Sequence, residues 1–321
     1  MPLTSFSRQP QILLDIESDF HYHSPPLDKP FRHAVLQLLE MFHPMLPTTS
    51  MLPARPFLLT LVLTTLAAPL AIANERHFTL SYETATLPAG AVEIEPQTTF
   101  RMGREHYYLG MDHRLEFEFG ITDRLMSAIY LNFGSETFRG ENGIDATSGI
   151  QGVSSEWKYH LTDATADAIG SALYLELTAR PLEYEIEGKL LLDKRLGQLH
   201  LVTNLIYEHG WEYVGVWNDE HKIAVSLGAT YFLTEHFTLG GEAFAQGIVE
   251  TDAPGEGNLG LQHGAVFVGP VMSYASRSWW VTTSVTPQIV GFGNAVTLAG
   301  TTRDLEDFHA VQARVILGIH L

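Results

Sequence analysis

Fifteen histidines lie along a chain with no cysteine, so imidazole is its main stock of bases near neutral pH. His106, His113, His160, His200, His209, His221, His236, His263, His309 and His320 are candidate bases, and Ser154, Ser155 and Ser226 are candidate nucleophiles. Acyl transfer needs a nucleophile, a base and an orienting group within hydrogen-bond reach of one another. No spacing marks out such a set, and no catalytic residue is expected. His106 and His113 flank a hairpin, while Asp252, Glu256, Asp304, Glu306 and Asp307 make loops that offer oxygen to a hard cation. No CxxC, HExxH or Gly-rich phosphate loop is present, so neither a metal site nor a cofactor is expected.

A second set of charged residues is placed by period. Residues 111–121 alternate without a break: Leu115, Phe117, Phe119 and Ile121 share one face of an extended strand, and Asp112, Arg114, Glu116 and Glu118 share the other. Extending that register places Glu93, Glu95, Arg101, Arg114, Glu116, Glu118, Glu156, Lys158, Glu176, Arg180, Glu185, Glu187, Lys189, Glu208, Glu242 and Arg314 on one common face. Carboxylates and guanidinium groups opposite a row of large apolar side chains suit a barrel with lipid outside and water inside. These sixteen residues are the expected lining of a lumen.

The elements that must position them are strands. Twelve period-2 segments are expected near residues 91–102, 110–121, 124–134, 150–161, 171–180, 184–194, 198–208, 221–233, 236–248, 261–275, 278–290 and 308–321. About ten residues suffice for a tilted membrane strand. Links in one register are mostly short and open on turn formers, as in Thr122-Asp123, Thr162-Asp163, Thr234-Glu235 and Ser276-Arg277. Links in the other register are mostly long and polar, at 135–149, 209–220, 249–260 and 291–307, with the short link 181–183 as an exception. The fold class is therefore all-β, an up-and-down antiparallel transmembrane barrel of about twelve strands, with short turns in the periplasm. Trp157, Tyr159, Trp211, Tyr213, Trp217, Tyr231, Phe232, Trp279 and Trp280 are expected in aromatic girdles at the two interfaces.

Residues 57–73 are apolar, follow Arg55 and end in Ala71-Ile72-Ala73, which reads as a signal peptide over 51–73. Residues 1–50 read as a mis-assigned or disordered extension ahead of a start at Met51, and 74–321 as the barrel. Mean hydropathy is +0.03, and 37 acidic against 19 basic residues argue against a nucleic-acid partner.

Tyr82-Glu83-Thr84 followed by Leu87-Pro88-Ala89-Gly90, Glu116-Phe117-Glu118-Phe119-Gly120-Ile121-Thr122-Asp123 and Trp157-Lys158-Tyr159-His160-Leu161-Thr162-Asp163 resemble strands and turns of uncharacterised, porin-like Gram-negative outer-membrane β-barrels. The resemblance implies the cell outer membrane as location. It implies outer-membrane lipid, lipopolysaccharide and the barrel-assembly machinery as partners, and it carries over no catalytic residue. The expected function is a narrow channel for small polar solutes or ions. A plugged structural or surface-interaction barrel is the alternative, and an outer-membrane lipid hydrolase is the third reading.

Overall fold

The computed structural model describes residues 75–140, 143–213, 215–251, 259–293, 295–298 and 300–321. The expected signal peptide and the extension before it lie outside the described residues, as do Asp252 and Glu256. The described chain contains no helix long and apolar enough to cross a membrane.

The strands are β1 (Val92–Met102), β2 (Tyr108–Thr122), β3 (Leu125–Gly140), β4 (Gly143–Thr162), β5 (Gly170–Arg180), β6 (Glu183–Leu196) and β7 (Leu199–Tyr213). They continue with β8 (Trp217–Phe232), β9 (Phe237–Thr251), β10 (Leu259–Ala275), β11 (Trp279–Phe292), β12 (Ala295–Leu298), β13 (Thr301–Asp304) and β14 (Val311–His320). Every strand except β12 and β13 joins a closed antiparallel barrel of twelve strands. Closure falls between β1 and β14, with Glu93 opposite His320 and Met102 opposite Val311. Closing the sheet on itself leaves no edge with unpaired backbone groups, which hydrocarbon would not tolerate.

Period 2 fixes which face each residue takes. Along β5, Leu173, Leu175 and Leu177 are exposed on the outside while Ala172, Tyr174, Glu176 and Thr178 are buried inside. On β2 and β3, Phe119, Ile129 and Leu131 face out, and Glu116, Glu118 and Tyr130 face in. The hydrophobic effect, which fills the interior of a soluble domain, here dresses the outer surface for lipid.

Two of the four stretches expected as long loops, 135–149 and 209–220, are largely strand instead, and the described ends of a third, 249–251 and 259–260, are strand too. The β3–β4 ladder runs on to Gly140 opposite Gly143, the β7–β8 ladder to Tyr213 opposite Trp217, and the β9–β10 ladder to Thr251 opposite Leu259. Backbone pairing needs no apolar face once a hairpin rises clear of lipid, so polar, Gly-rich sequence can still be ladder. The fourth stretch carries the small β12–β13 hairpin.

The aromatic pairs also need correction. Trp157, Tyr159, Tyr213, Trp217, Tyr231 and Trp279 are exposed on the outer surface, but Phe232 and Trp280 are buried. Two aromatics in succession cannot share a face of a strand, so one of each pair must turn inward. Trp280 donates its indole N–H to Glu93 at 2.5 Å, and the Arg195 guanidinium sits 3.8 Å from the Phe232 ring centroid.

A polar lumen closed by the N-terminal segment

Residues 76–84, ahead of β1, lie inside the barrel. Phe78, Thr79, Leu80, Ser81, Tyr82, Glu83 and Thr84 are all buried, and their partners are inward-facing side chains of strands on several sides of the lumen. Glu242 on β9 accepts four hydrogen bonds from this segment. Its Oε2 takes the Thr79 N–H at 2.9 Å and the Thr79 hydroxyl at 2.8 Å; its Oε1 takes the Leu80 N–H at 2.8 Å and the Ser81 N–H at 3.0 Å. Asn204 on β7 forms a two-way pair with Tyr82, accepting its N–H at 2.7 Å and donating to its carbonyl at 2.9 Å. Asp193 on β6 accepts from the Thr84 N–H at 3.2 Å and its hydroxyl at 2.7 Å. From the opposite wall, Arg314 on β14 donates to the Thr79 carbonyl at 2.9 Å, and Thr282 on β11 donates to that of Arg76.

The wall thus does for an isolated segment what a neighbouring strand would do. Buried backbone donors and acceptors without partners would each cost free energy. Shape follows the same seat: a Cβ at Gly228 would lie 2.5 Å from the Phe78 ring, so the ring occupies space that only glycine leaves open. The segment then leaves through a tight turn beside the β2–β3 link. Gly90 donates to the Gly120 carbonyl at 2.8 Å, and a side chain at Gly120 would strike the Pro88 carbonyl at 1.9 Å.

Charge divides the lumen into two levels. Next to the turn rim, Glu93, Glu95, Glu116, Glu118 and Glu156 are buried together with Lys158. Arg76 of the inserted segment reaches into this group, 3.4 Å from Glu95, with its guanidinium 4.2 Å from the Tyr82 ring centroid. Gln97 donates to Glu116 at 2.9 Å, and Tyr130 donates to Glu156. Toward the other rim lies a vestibule of about 690 Å³. Arg101, Arg114, Arg180 and Arg314 line it together with Asp112, Glu176, Glu183, Glu185, Glu187 and Glu208. Many of these charges are paired: Arg101 with Asp112 at 2.8 Å, Arg114 with Glu176, Arg180 with Glu185 at 3.2 Å, and Lys222 with Glu208 at 2.7 Å. Lys189 lies deeper, 2.8 Å from Glu187 and 4.1 Å from the Tyr82 centroid.

Of the residues singled out by alternation, Glu93, Glu95, Glu116, Glu118, Glu156, Lys158, Glu176, Lys189 and Glu242 are buried. Arg101, Arg114, Arg180, Glu185, Glu187, Glu208 and Arg314 are half-buried around the vestibule. The candidate nucleophiles have other engagements: Ser154 bonds Asn132 and Thr178, Ser155 accepts from Trp157, and Ser226 donates to Asn204.

The model of one protein family matches residues 70–321, most of the chain and all of the barrel. The chain belongs to DUF6662, a family of unknown function. No curated protein matches it. Among solved structures, this DUF6662 barrel is similar to an outer membrane channel from Pseudomonas putida F1, with a TM-score of 0.53 at 12% identity over 76% of this chain and 100% of that one. It is also similar to the NanC porin, with a TM-score of 0.46 at 11% identity over 71% of this chain and 100% of that one. The first likeness shows that the fold is that of an outer-membrane barrel.

Outside the membrane strands of the DUF6662 barrel, Asp163 and His309 are among the titratable groups displaced from their ordinary ranges. Asp163, in the β4–β5 turn, accepts from the Thr165 hydroxyl and from the N–H groups of Thr165 and Ala166 at 2.7 and 2.8 Å, which holds its carboxyl down at about 2. His309, just before β14, is buried against Phe267 with ring centroids 4.8 Å apart. Burial, reinforced by the Arg101 charge, drives its imidazole down to about 3.

The inserted segment escaped sequence reasoning although its residues were in view. Residues 75–90 lack alternation and supply Arg76 ahead of a strongly acidic wall. An interior with more carboxylates than cations calls for a counter-charge, and that was the available signal.

Proposed function

We propose that this protein is an outer-membrane channel for small polar solutes or ions, held shut by its own N-terminal segment. The turn rim then faces the periplasm and the vestibule faces outward, with lipid and lipopolysaccharide around the wall and the barrel-assembly machinery as the route of insertion. The observation that carries this reading is how the lumen is filled. Apolar packing inside the barrel falls into small separate clusters, such as Phe78 with Val202 and Val271, and Phe308 with Ala265 and Phe267. The N-terminal segment occupies much of the space, seated by hydrogen bonds with Glu242, Asn204, Asp193 and Arg314. The β13–β14 link is also buried against the inner wall, with Gln288 donating to the Asp304 and His309 carbonyls. Hydrogen bonds exchange for bonds to water, at a net cost of about 1.5–3 kcal/mol each where a charged group takes part, so such a plug can be released where an apolar core cannot. The acidic majority on the vestibule wall supports a preference for cations.

A second reading, a barrel without conductance and without enzymatic activity, draws on the same seat: the bonds made to Glu242 and Asp193 are charge-assisted and strong. Planar-bilayer recording separates the two. The purified barrel is expected to show rare openings, and a variant lacking residues 75–88 steady, cation-selective steps. A silent deletion variant that retains the heat-dependent gel mobility of a folded barrel would refute the channel.

A further inference from the structure

One side-chain cluster joins the inserted segment to the wall. His77 and Glu83 come from the segment, His200 from β7 and Asp193 from β6. His77 Nδ1 lies 2.7 Å from Glu83 Oε1, and His200 Nδ1 lies 3.2 Å from the same oxygen. The three donor atoms lie within 4.8 Å of one another. His200 is buried, its Nδ1 makes no hydrogen bond, and its other nitrogen, Nε2, is 3.2 Å from Asp193 Oδ2.

We infer that His77, Glu83 and His200 form a binding site for a divalent transition metal, with Zn²⁺ as its natural type, clasping the N-terminal segment to the barrel wall. Two imidazoles and one carboxylate are the ligand types that Zn²⁺ takes, at about 2.0–2.2 Å, and three protein ligands leave a fourth position for water. Asp193 completes the arrangement from behind. A carboxylate on Nε2 keeps the proton there and turns the Nδ1 lone pair toward Glu83, the orienting role that such groups play behind metal-bound histidines. Asp193 is itself fixed by the two bonds it accepts from Thr84. Access is provided by a cavity of about 750 Å³, which the three ligands line together with the turn residues Asp163, Gln198 and Thr234. An ion therefore enters from the turn rim without crossing the closed lumen.

A second trio, His263, Asp304 and Asp307, offers only one imidazole and lies on β10, the end of β13 and the β13–β14 link. It serves as the internal comparison. The test is titration of Zn²⁺, and of Co²⁺ for its visible ligand-field bands, into untagged, metal-stripped barrel in detergent. One tight equivalent with tetrahedral Co²⁺ bands is expected. H77A and H200Q should each lose it, D193N should weaken it roughly 10- to 100-fold, and H263A should leave it unchanged. Retained gel mobility confirms that each variant is folded. No binding by the parent barrel, or binding that survives H200Q and disappears in H263A, would overturn the assignment. Binding is read without conductance, so a silent bilayer leaves this inference standing and a failed titration leaves the channel reading standing.

Discussion

Replacing Glu242 by Gln tests how the segment is held. The two carboxylate oxygens of Glu242 each accept two hydrogen bonds, from Thr79 at Oε2 and from Leu80 and Ser81 at Oε1. Glutamine keeps one oxygen and sets an NH₂ group where the other stood, so one pair of donors faces a third donor. Hydrogen bonds to a charged acceptor are worth about 1.5–3 kcal/mol each. Losing two at the lower figure costs about 3 kcal/mol, or about a hundredfold in the population of the displaced segment. The chain has no cysteine, so S81C supplies a single reporter at a buried position whose hydroxyl has no partner. With a water-soluble maleimide, the labelling rate follows the fraction of time the segment is out. Labelling should be slow in S81C and about a hundredfold faster in S81C/E242Q. Rates within threefold of each other, in barrels of equal gel mobility, would refute the claim that Glu242 seats the segment.

Two further outcomes follow from the register and from burial. L175R places a cation on the lipid face beside the inward Glu176 and should destabilise the barrel by about 2–4 kcal/mol, seen as a lower temperature for the heat-dependent gel shift; no change would mean that Leu175 does not face hydrocarbon. His309 remains neutral when folded down to about pH 3 but takes up a proton near its ordinary value when unfolded. Folding stability should therefore fall as pH drops from about 6.5 toward 3, by up to about 1.4 kcal/mol per unit from this residue. H309Q should flatten that part of the unfolding-temperature profile, and an unaltered profile would rule His309 out as its source.

The barrel was legible because a wall between lipid and water writes itself as a period of two. Leu173, Leu175 and Leu177 against Tyr174, Glu176 and Thr178 need no tertiary knowledge to interpret. The hairpin heights were illegible for the converse reason: beyond the lipid, residues such as Gly143 to Gly149 pair by backbone alone, and no alternation is required of them. The closure of the lumen was hidden by sequence distance. Glu242 lies 163 residues from Thr79, Asn204 122 from Tyr82, and Asp193 109 from Thr84. His200 drew notice as one base among many, whereas His77 did not, because each gains meaning only when the inserted segment brings them together.

The stopper and its bottle are one molecule. Because residues 85–91 run straight from the seated stretch into β1, a displaced segment is never far from its seat, and tethering over so short a span corresponds to a local concentration of about millimolar. A synthetic peptide with the sequence of residues 75–84, added in solution, would have to approach that concentration to compete for the vacated lumen. A protease cut within 85–91 would abolish the advantage at a stroke, turning rapid recapture into ordinary dilution.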